Sequence, residues 1–308
     1  MPAPMAPTGG AEDVRADRAT SGDDPPPREI VVGVDGTEVG LGAVRWAAQE
    51  AARRGAPLRI LHAAPYLGRG GPAGAPSPEL PRARGITAVA YTVARHTEPG
   101  VQSTTEVVPG DDAVTVLLRA AAASQLVVLG SSTTGAADEM VLAKLAARVA
   151  GHSPAPVVVV PRRRGGEPVD RAVVAVLGVG EQADDEAVAA FAATTAQGSG
   201  VPLSILQTRT SRHSVPGGWV DDLSAWAQRF PDLEVELSAL PAARANQVLL
   251  EACPSPLIVI SAGHGTLLHR SLDGPHLWLL RHCTSPMALI PAVDRSERAA
   301  REEAGATG

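Results

Sequence analysis

Aromatic residues and cysteines are scarce in this chain of 308 residues. Phe, Trp and Tyr together make up 3% of it, so Val, Leu and Ala must build the core, a composition that suits buried parallel strands. The two cysteines, Cys253 and Cys283, are too few for a disulfide-stapled scaffold, which a chain of this size does not need. We expect both to be buried thiols.

Long apolar runs and an excess of positive charge are missing as well. No run approaches the roughly 20 apolar residues that span a bilayer, and residues 1–28 carry acids and prolines where a secretory signal has an apolar core. The net charge is −6, whereas a nucleic-acid surface needs basic residues to neutralise phosphates. The chain is therefore predicted to be cytoplasmic and to bind neither membranes nor nucleic acid.

The two ends of the chain lack large apolar residues. Residues 1–28 are rich in Pro, Gly, Ala and Asp, and residues 294–308 alternate acids with arginines. Both segments are predicted to be disordered, because neither can bury enough apolar surface to offset the entropy cost of ordering. The length between them exceeds the roughly 100–200 residues that one domain usually contains, so two domains are expected.

What the chain does contain is an internal repeat. The segment GAPLRIL at 55–61 recurs as GVPLSIL at 200–206, and QLVVLGSS at 125–132 parallels PLIVISAG at 256–263. In each repeat, short β-branched runs alternate with helical patterns, which is typical of βαβ crossovers and a parallel sheet. The sequence therefore predicts two tandem α/β domains with five parallel strands each.

The predicted domains occupy residues 29–161 and 171–293, with a linker at 162–170. A Gly- and Pro-rich stretch at 66–85 is interpreted as a mobile loop. The expected strands lie near 29–35, 57–63, 102–108, 126–130 and 156–161 in the first domain, and near 172–177, 201–207, 232–238, 256–260 and 286–290 in the second.

Capping residues mark two helix starts. Thr37 is predicted to cap the first helix, and Gly55 to end it. Asp111 and Asp112 precede an Ala- and Leu-rich segment. Since carboxylates stabilise helix N-termini, we assign these two a structural role.

Candidate ligand-binding residues follow the first and fourth strands of the first domain. In an open parallel sheet, ligands bind beyond the carboxyl ends of the strands, at the point where strand order reverses. The segments at that point are VGVDGT at 32–37 and LGSSTTG at 129–135.

The residues around these segments resemble the universal stress protein family. The segment IVVGVDGTEVGLGAVRWAAQEAARRGAPLRILHA at 30–63 is similar to the opening of such a domain, and LVVLGSSTTGAADEMVLAKLAARVAGHSPAPVVVVP at 126–161 to its closing third. The resemblance implies a doubly wound, Rossmann-like sheet of five strands in each domain, of the adenine nucleotide alpha hydrolase-like type. It also implies pairing through the last strands, which a tandem chain can form within itself.

Members of that family that bind ATP carry Gly, two residues, Gly, nine residues, Gly and then Ser or Thr after the fourth strand. Glycines there let the backbone approach the ligand, and the following helix N-terminus favours phosphate. The first domain keeps Gly130, which Ser131 follows. It has Thr133, Ala143 and Lys144 at the second glycine, third glycine and hydroxyl positions.

The second domain departs further from this pattern. It has Ser261, His264 and Pro275 in place of the first glycine, the second glycine and the hydroxyl, and keeps only Gly274. Its first strand ends in Leu177, where the first domain has an aspartate. Any nucleotide site is therefore expected in the first domain.

Two residues of the first domain allow a functional and a structural interpretation. By the resemblance, Asp35 would accept hydrogen bonds from ribose or adenine; alternatively, it forms a turn with Gly36. Lys144, the only lysine of the chain, would either contact phosphate or lie exposed on a helix. With ATP and Mg²⁺ as the candidate ligand, the candidate binding residues are Val34, Asp35, Gly130, Ser131, Thr133 and Lys144.

Three functions follow from these features. The eroded glycines favour a non-enzymatic stress-response protein whose paired domains act as a scaffold for protein partners or a homo-oligomer, with little or no ATP binding. The alternative is a protein that binds an adenine nucleotide in the first domain only. A phosphoacceptor receiver using Asp35 is disfavoured, because Val34 and Gly36 stand where Mg²⁺ needs acids and no lysine follows the last strand.

No catalytic or metal site is predicted. No nucleophile, base and orienting group converge at a recognisable spacing. The histidines His264, His269, His276 and His282, even together with the cysteines, lack the spacings that metal sites favour. The one basic run, at 162–164, is interpreted as a solvated part of the linker.

Overall fold

The computed structural model describes residues 28–67, 79–131, 137–162, 171–178, 182–209, 229–241, 254–262 and 282–292. In the first repeat they form β1 (Ile30–Gly33), α1 (Glu38–Arg54), β2 (Leu58–Ala64), α2 (Leu80–Thr97), β3 (Ser103–Pro109), α3 (Ala113–Ala121), β4 (Leu126–Ser131), α4 (Ala137–His152) and β5 (Val157–Pro161). In the second repeat they form β6 (Val173–Leu177), α5 (Gln182–Ser199), β7 (Leu203–Arg209), β8 (Val235–Pro241), β9 (Ile258–Ser261) and β10 (Met287–Ile290). The tails predicted to be disordered lie outside the described residues except for Arg28, and so does the predicted linker after Arg162.

The ten strands form one sheet in the order β3-β2-β1-β4-β5-β10-β9-β6-β7-β8. Strands within each repeat are parallel, and strand order reverses beside β1 in the first repeat and beside β6 in the second. The fold is therefore α/β, with two doubly wound halves of five parallel strands. This confirms the predicted fold class.

Every predicted strand overlaps an observed strand, because most strands are buried between two helical layers. β5 and β6 are buried along their whole length. A parallel strand that is buried on both faces keeps a continuous apolar run rather than an alternating one. By contrast β3, at one end of the sheet, exposes several of its residues to solvent.

Both predicted helix starts are confirmed in the structure. Thr37 is the N-cap of α1, and its hydroxyl accepts a hydrogen bond from the Gly40 amide at 3.2 Å. Gly55 ends α1 in the left-handed conformation, with φ of 59°. Asp112 is the N-cap of α3, and its carboxylate accepts hydrogen bonds from the amides of Val114 and Thr115.

The prediction of a mobile loop at 66–85 is wrong at its carboxyl end, where Leu80–Gly85 belong to α2. Pro81 lies in the first turn of this helix, where a missing amide proton is no loss, so a proline there starts a helix rather than breaking one. Ala83 is fully buried and packs with Ala64 and Leu67. Residues 68–78 lie outside the described part of the chain.

The two repeats meet at β5 and β10, which are antiparallel and place Val158 opposite Ala288. Such pairing of the last strands is what the family resemblance implies. α1 and α5 pack on the same face of the sheet, where the Arg54 guanidinium lies 4.9 Å from the centre of the Phe191 ring. Among the described helices, none has the length and apolar character needed to cross a membrane.

Candidate functional site

A small crevice opens where β1 and β4 end, at the point where strand order reverses in the first repeat. Its volume is about 100 Å³. Three of the candidate residues line it, namely Val34, Asp35 and Gly130. Most of the remaining wall is apolar and comes from β2, β4, α3 and α4, including Leu61, Leu117, Leu129 and Leu145.

Asp35 occupies the turn between β1 and α1. Its Oδ1 atom accepts hydrogen bonds from the Thr37 amide at 2.9 Å and from the Thr37 hydroxyl at 2.7 Å. Gly36 follows with φ of +87°, a region that favours glycine. The structural interpretation of Asp35 as a turn-forming residue is therefore realised, while the exposed carboxylate still faces the crevice.

Gly130 is held by packing between β4 and α1. A Cβ atom at this position would lie 2.8 Å from the carbonyl oxygen of Val39 and 2.9 Å from its carbonyl carbon. No side chain fits at these distances, so the sheet and helix approach each other only with glycine here. The retention of this glycine has a structural cause that does not involve phosphate.

Of the other three candidate residues, only Ser131 has a side chain that the structure describes. Ser131 is buried, with 1% of its surface exposed, and no described residue forms a hydrogen bond with its hydroxyl. Thr133 lies outside the described residues. Lys144 is part of α4, but its side chain is outside the described part of the structure.

The structure adds a histidine to the crevice that the sequence did not single out. His62 is buried on β2, with Nδ1 at 2.8 Å from the carbonyl oxygen of Val34 and Nε2 at 3.0 Å from the hydroxyl of Tyr66. A carbonyl oxygen can only accept, so Nδ1 carries a proton. In the neutral ring Nε2 then accepts a hydrogen bond from Tyr66. The local signal was a histidine in a strand whose only other polar residue is Arg59, which by itself also fits a residue of the core.

The corresponding turn of the second repeat uses a different carboxylate. Leu177 is buried, and the Gly178 amide donates to both oxygens of Asp185, at 2.9 and 3.0 Å. Burial raises the pKa of Asp185 to about 6; the Gly178 hydrogen bond opposes this shift and the charge of Asp184 adds to it. The sequence analysis did not identify this buried pair of acids, although acids in the first turn of a helix are readable from sequence.

The described part of the first crevice is small, and some of its polar and glycine residues already serve the fold. A volume of about 100 Å³ is below the roughly 300–1,000 Å³ of small-molecule pockets. One carboxylate oxygen of Asp35 is already engaged by Thr37, and Gly130 is used in packing.

Metal ligands do not cluster within the described residues, where no group of three His, Cys, Asp or Glu side chains could hold an ion. Cys283 is buried and unoxidised, as predicted. Cys253, His264, His269 and His276 lie outside the described residues.

Comparison with known structures supports the fold. A universal stress protein from Archaeoglobus fulgidus DSM 4304 is 13% identical, aligns over 87% of this chain and 97% of its own length, and gives a TM-score of 0.65. A functionally unknown protein from Pseudomonas aeruginosa PAO1 is 13% identical over 92% of this chain and 98% of its own, with a TM-score of 0.53. These two likenesses show a shared fold across both repeats.

A universal stress protein solved in complex with cAMP is 26% identical over 45% of this chain and 100% of its own length, with a TM-score of 0.36. No curated protein matches the sequence of this chain. The model of the universal stress protein family matches residues 27–161. The first repeat, which these residues form, is therefore similar to a universal stress protein domain.

Proposed function

We propose that this chain is a non-enzymatic universal stress protein that acts as a paired-domain scaffold and binds little or no ATP. In this proposal the domains are residues 29–161 and 171–293, and the pairing of β5 with β10 fixes their relative orientation. The observation that carries the proposal is the engagement of Asp35 Oδ1 by the amide and hydroxyl of Thr37. One oxygen of the carboxylate that would recognise ribose or adenine is used in forming a turn.

The rest of the crevice supports the same conclusion. Its small volume and its leucine-rich wall offer few polar partners to a ribose or a phosphate. Gly130 is explained by its contact with Val39, and the sequence replaces the other glycines of the phosphate motif. A domain that keeps the fold but loses these features is suited to contacts with proteins rather than nucleotides.

A second candidate function, binding of an adenine nucleotide by the first domain, is favoured by one observation. The buried Ser131 hydroxyl has no hydrogen-bond partner among the described residues. An unpaired buried hydroxyl costs about 1–3 kcal/mol. A ligand oxygen reaching this point would recover that cost.

Thermal unfolding in the presence of ATP and Mg²⁺ distinguishes the two functions. A ligand that binds the folded state raises the melting temperature according to its concentration and affinity. The scaffold proposal expects no rise at millimolar ATP, for the wild type and for Asp35→Ala alike. A rise that grows with ATP concentration and disappears in Asp35→Ala would overturn it.

Thr37→Val is the matched control for this experiment. It removes the hydroxyl that bonds to Asp35 and caps α1, but it keeps the carboxylate. If nucleotide binding is lost in Asp35→Ala and retained in Thr37→Val, the carboxylate itself contacts the ligand. Equal loss in both variants would point to the turn instead.

A further inference from the structure

A second and larger cavity lies between the two repeats, away from the crevice. It runs along α1 and α5 on their shared face of the sheet, and its floor is formed near the end of β5 and the starts of β9 and β10. We call it the inter-repeat groove. Its volume is about 640 Å³, within the range of roughly 300–1,000 Å³ that is typical of small-molecule sites.

Arginines outnumber acids along this groove, where Glu38 is the only acid among the described lining residues, although the chain as a whole carries a net charge of −6. Arg45 and Arg53 reach it from α1, and Arg162 from the end of β5. Arg53 is paired with the buried Glu50 at 2.6 Å. Among the described side chains, no acid forms an ion pair with Arg45 or Arg162. Two guanidinium groups are therefore available to a ligand.

The groove also offers an apolar wall and hydroxyl groups. Trp46 is half-buried along α1, and Leu257 and Pro286 lie on the floor. Ser199 and Thr284 contribute hydroxyls from the second repeat. An aromatic ring can stack on an indole or on a guanidinium plane, while a planar guanidinium forms paired hydrogen bonds with carboxylate or phosphate oxygens.

We propose that the inter-repeat groove binds a small organic anion that carries an aromatic ring. Arg45 and Arg162 hold the anionic group, and Trp46 contacts the ring. Binding joins α1 of the first repeat to the start of β10 in the second, so the site exists only when the two repeats are paired. It also gives a role to the first arginine of the basic run at 162–164, which the sequence analysis interpreted as solvated.

A small molecule fits the groove better than a polyanion does. The groove is recessed between two helices, and a nucleic acid would meet the negative charge of the surrounding chain. The proposal is independent of whether the first crevice binds ATP, because none of the residues named for the groove lines that crevice.

The test uses the full chain and the fluorescent aromatic sulfonate 8-anilinonaphthalene-1-sulfonate. We expect one saturable site per chain, with affinity reduced at least tenfold by Arg45→Glu. Ser199→Trp should weaken binding at least tenfold, because the indole occupies part of the groove without changing its charge. Arg82→Glu, which makes the same charge change on the exposed surface of α2, is the matched control and should leave the affinity within twofold.

Circular dichroism and thermal melting establish that each variant is folded. The proposal is overturned if Arg45→Glu and Arg82→Glu weaken binding equally, which would indicate a general charge effect. It is also overturned if Ser199→Trp leaves the affinity for the dye within twofold of the wild type, or if no saturable site is found. Asp35→Ala should not alter dye binding, so failure here and failure of the scaffold proposal give different results.

Discussion

The α-carbon of Gly130, on β4, lies so close to the backbone of α1 that no side chain fits between them. Gly130→Ala would place a Cβ atom 2.8 Å from the carbonyl oxygen of Val39, so helix and sheet must move apart. We expect a loss of about 1–3 kcal/mol in the free energy of unfolding, measured by urea denaturation, because overpacking forces backbone shifts.

Gly85→Ala is the control for this substitution. Gly85 lies on α2 with no atom within 4 Å of a built Cβ, so alanine should stabilise the protein by about 0.5–1 kcal/mol. If Gly130→Ala has the same free energy of unfolding as the wild type, the contact with Val39 relaxes at no cost. In that case the packing explanation of Gly130 fails and a ligand role gains support.

The buried carboxyl group of Asp185 makes stability depend on pH. Its pKa in the folded state, about 6, lies above the ordinary value of 3.8, so the folded state retains the proton that the unfolded state releases between these values. The free energy of unfolding should therefore fall as pH rises through this window, by roughly 2 kcal/mol when solvent screening is allowed for. Urea denaturation between pH 4 and pH 7.5 measures the change.

Asp185→Asn keeps an oxygen that can accept from Gly178 but carries no charge to bury. We expect this variant to equal the wild type near pH 4 and to exceed it in stability above pH 6. Asp232→Asn, which changes an exposed carboxylate of the second repeat, should follow the wild type throughout. Parallel pH profiles for Asp185→Asn and the wild type would contradict the assignment.

Among the helices, α3 depends on a single capping residue. The Asp112 carboxylate accepts hydrogen bonds from the amides of Val114 and Thr115 and from the Thr115 hydroxyl, and this hydroxyl is the main cause of its lowered pKa. Asp112→Ala leaves these amides without a partner in the protein. We expect a loss of about 1 kcal/mol in the free energy of unfolding at pH 7, measured by urea denaturation.

The neighbouring Asp111 is the matched control for the cap. It forms an exposed ion pair with Arg119 at 3.1 Å. An ion pair of this kind contributes about 0.2–1 kcal/mol to stability. Asp111→Ala should therefore cost less than Asp112→Ala. If the two variants lose equal stability, the contribution of Asp112 comes from its charge near the helix end rather than from its hydrogen bonds.

Most strands were predictable from sequence because a strand that is buried on both faces has a continuous apolar run in its own sequence. A short run of β-branched residues such as VVVVP at β5 is typical of a strand that is buried on both faces. The start of α2 was not predictable by the same reasoning. Composition treats Pro81 as a breaker, whereas its position in the first helical turn makes it a helix start.

At the crevice, the sequence predicted which segments meet but not how they interact. Val34, Asp35 and Gly130 come together because parallel strands end at the same edge of the sheet. The bond between His62 and the Val34 carbonyl and the contact between Gly130 and Val39 join residues that are distant in sequence. No local pattern encodes such contacts, so only the folded chain shows them.

For the whole molecule, the central feature is the apolar pair of strands β5 and β10, each of which would form an exposed edge without the other. All residues of both strands are buried, and residues of both repeats share the two large hydrophobic clusters of the sheet. An uncovered edge of this kind is a template for pairing with another chain. Because β5 and β10 hold corresponding places in the repeat, a second copy of β5 can replace β10 by a two-fold arrangement.

A fragment of residues 1–162 is therefore expected to form a dimer, whereas the full chain, in which β10 covers β5, should not dimerise through this edge. Sedimentation velocity at about 10–100 μM protein measures both, with circular dichroism to establish that the fragment is folded. Dimerisation of the fragment should bury Val157, Val158 and Val159 and protect their amides from hydrogen exchange as in the full chain. A folded fragment that stays monomeric would show that β5 tolerates exposure, and that the covalent link rather than strand pairing keeps the two repeats together.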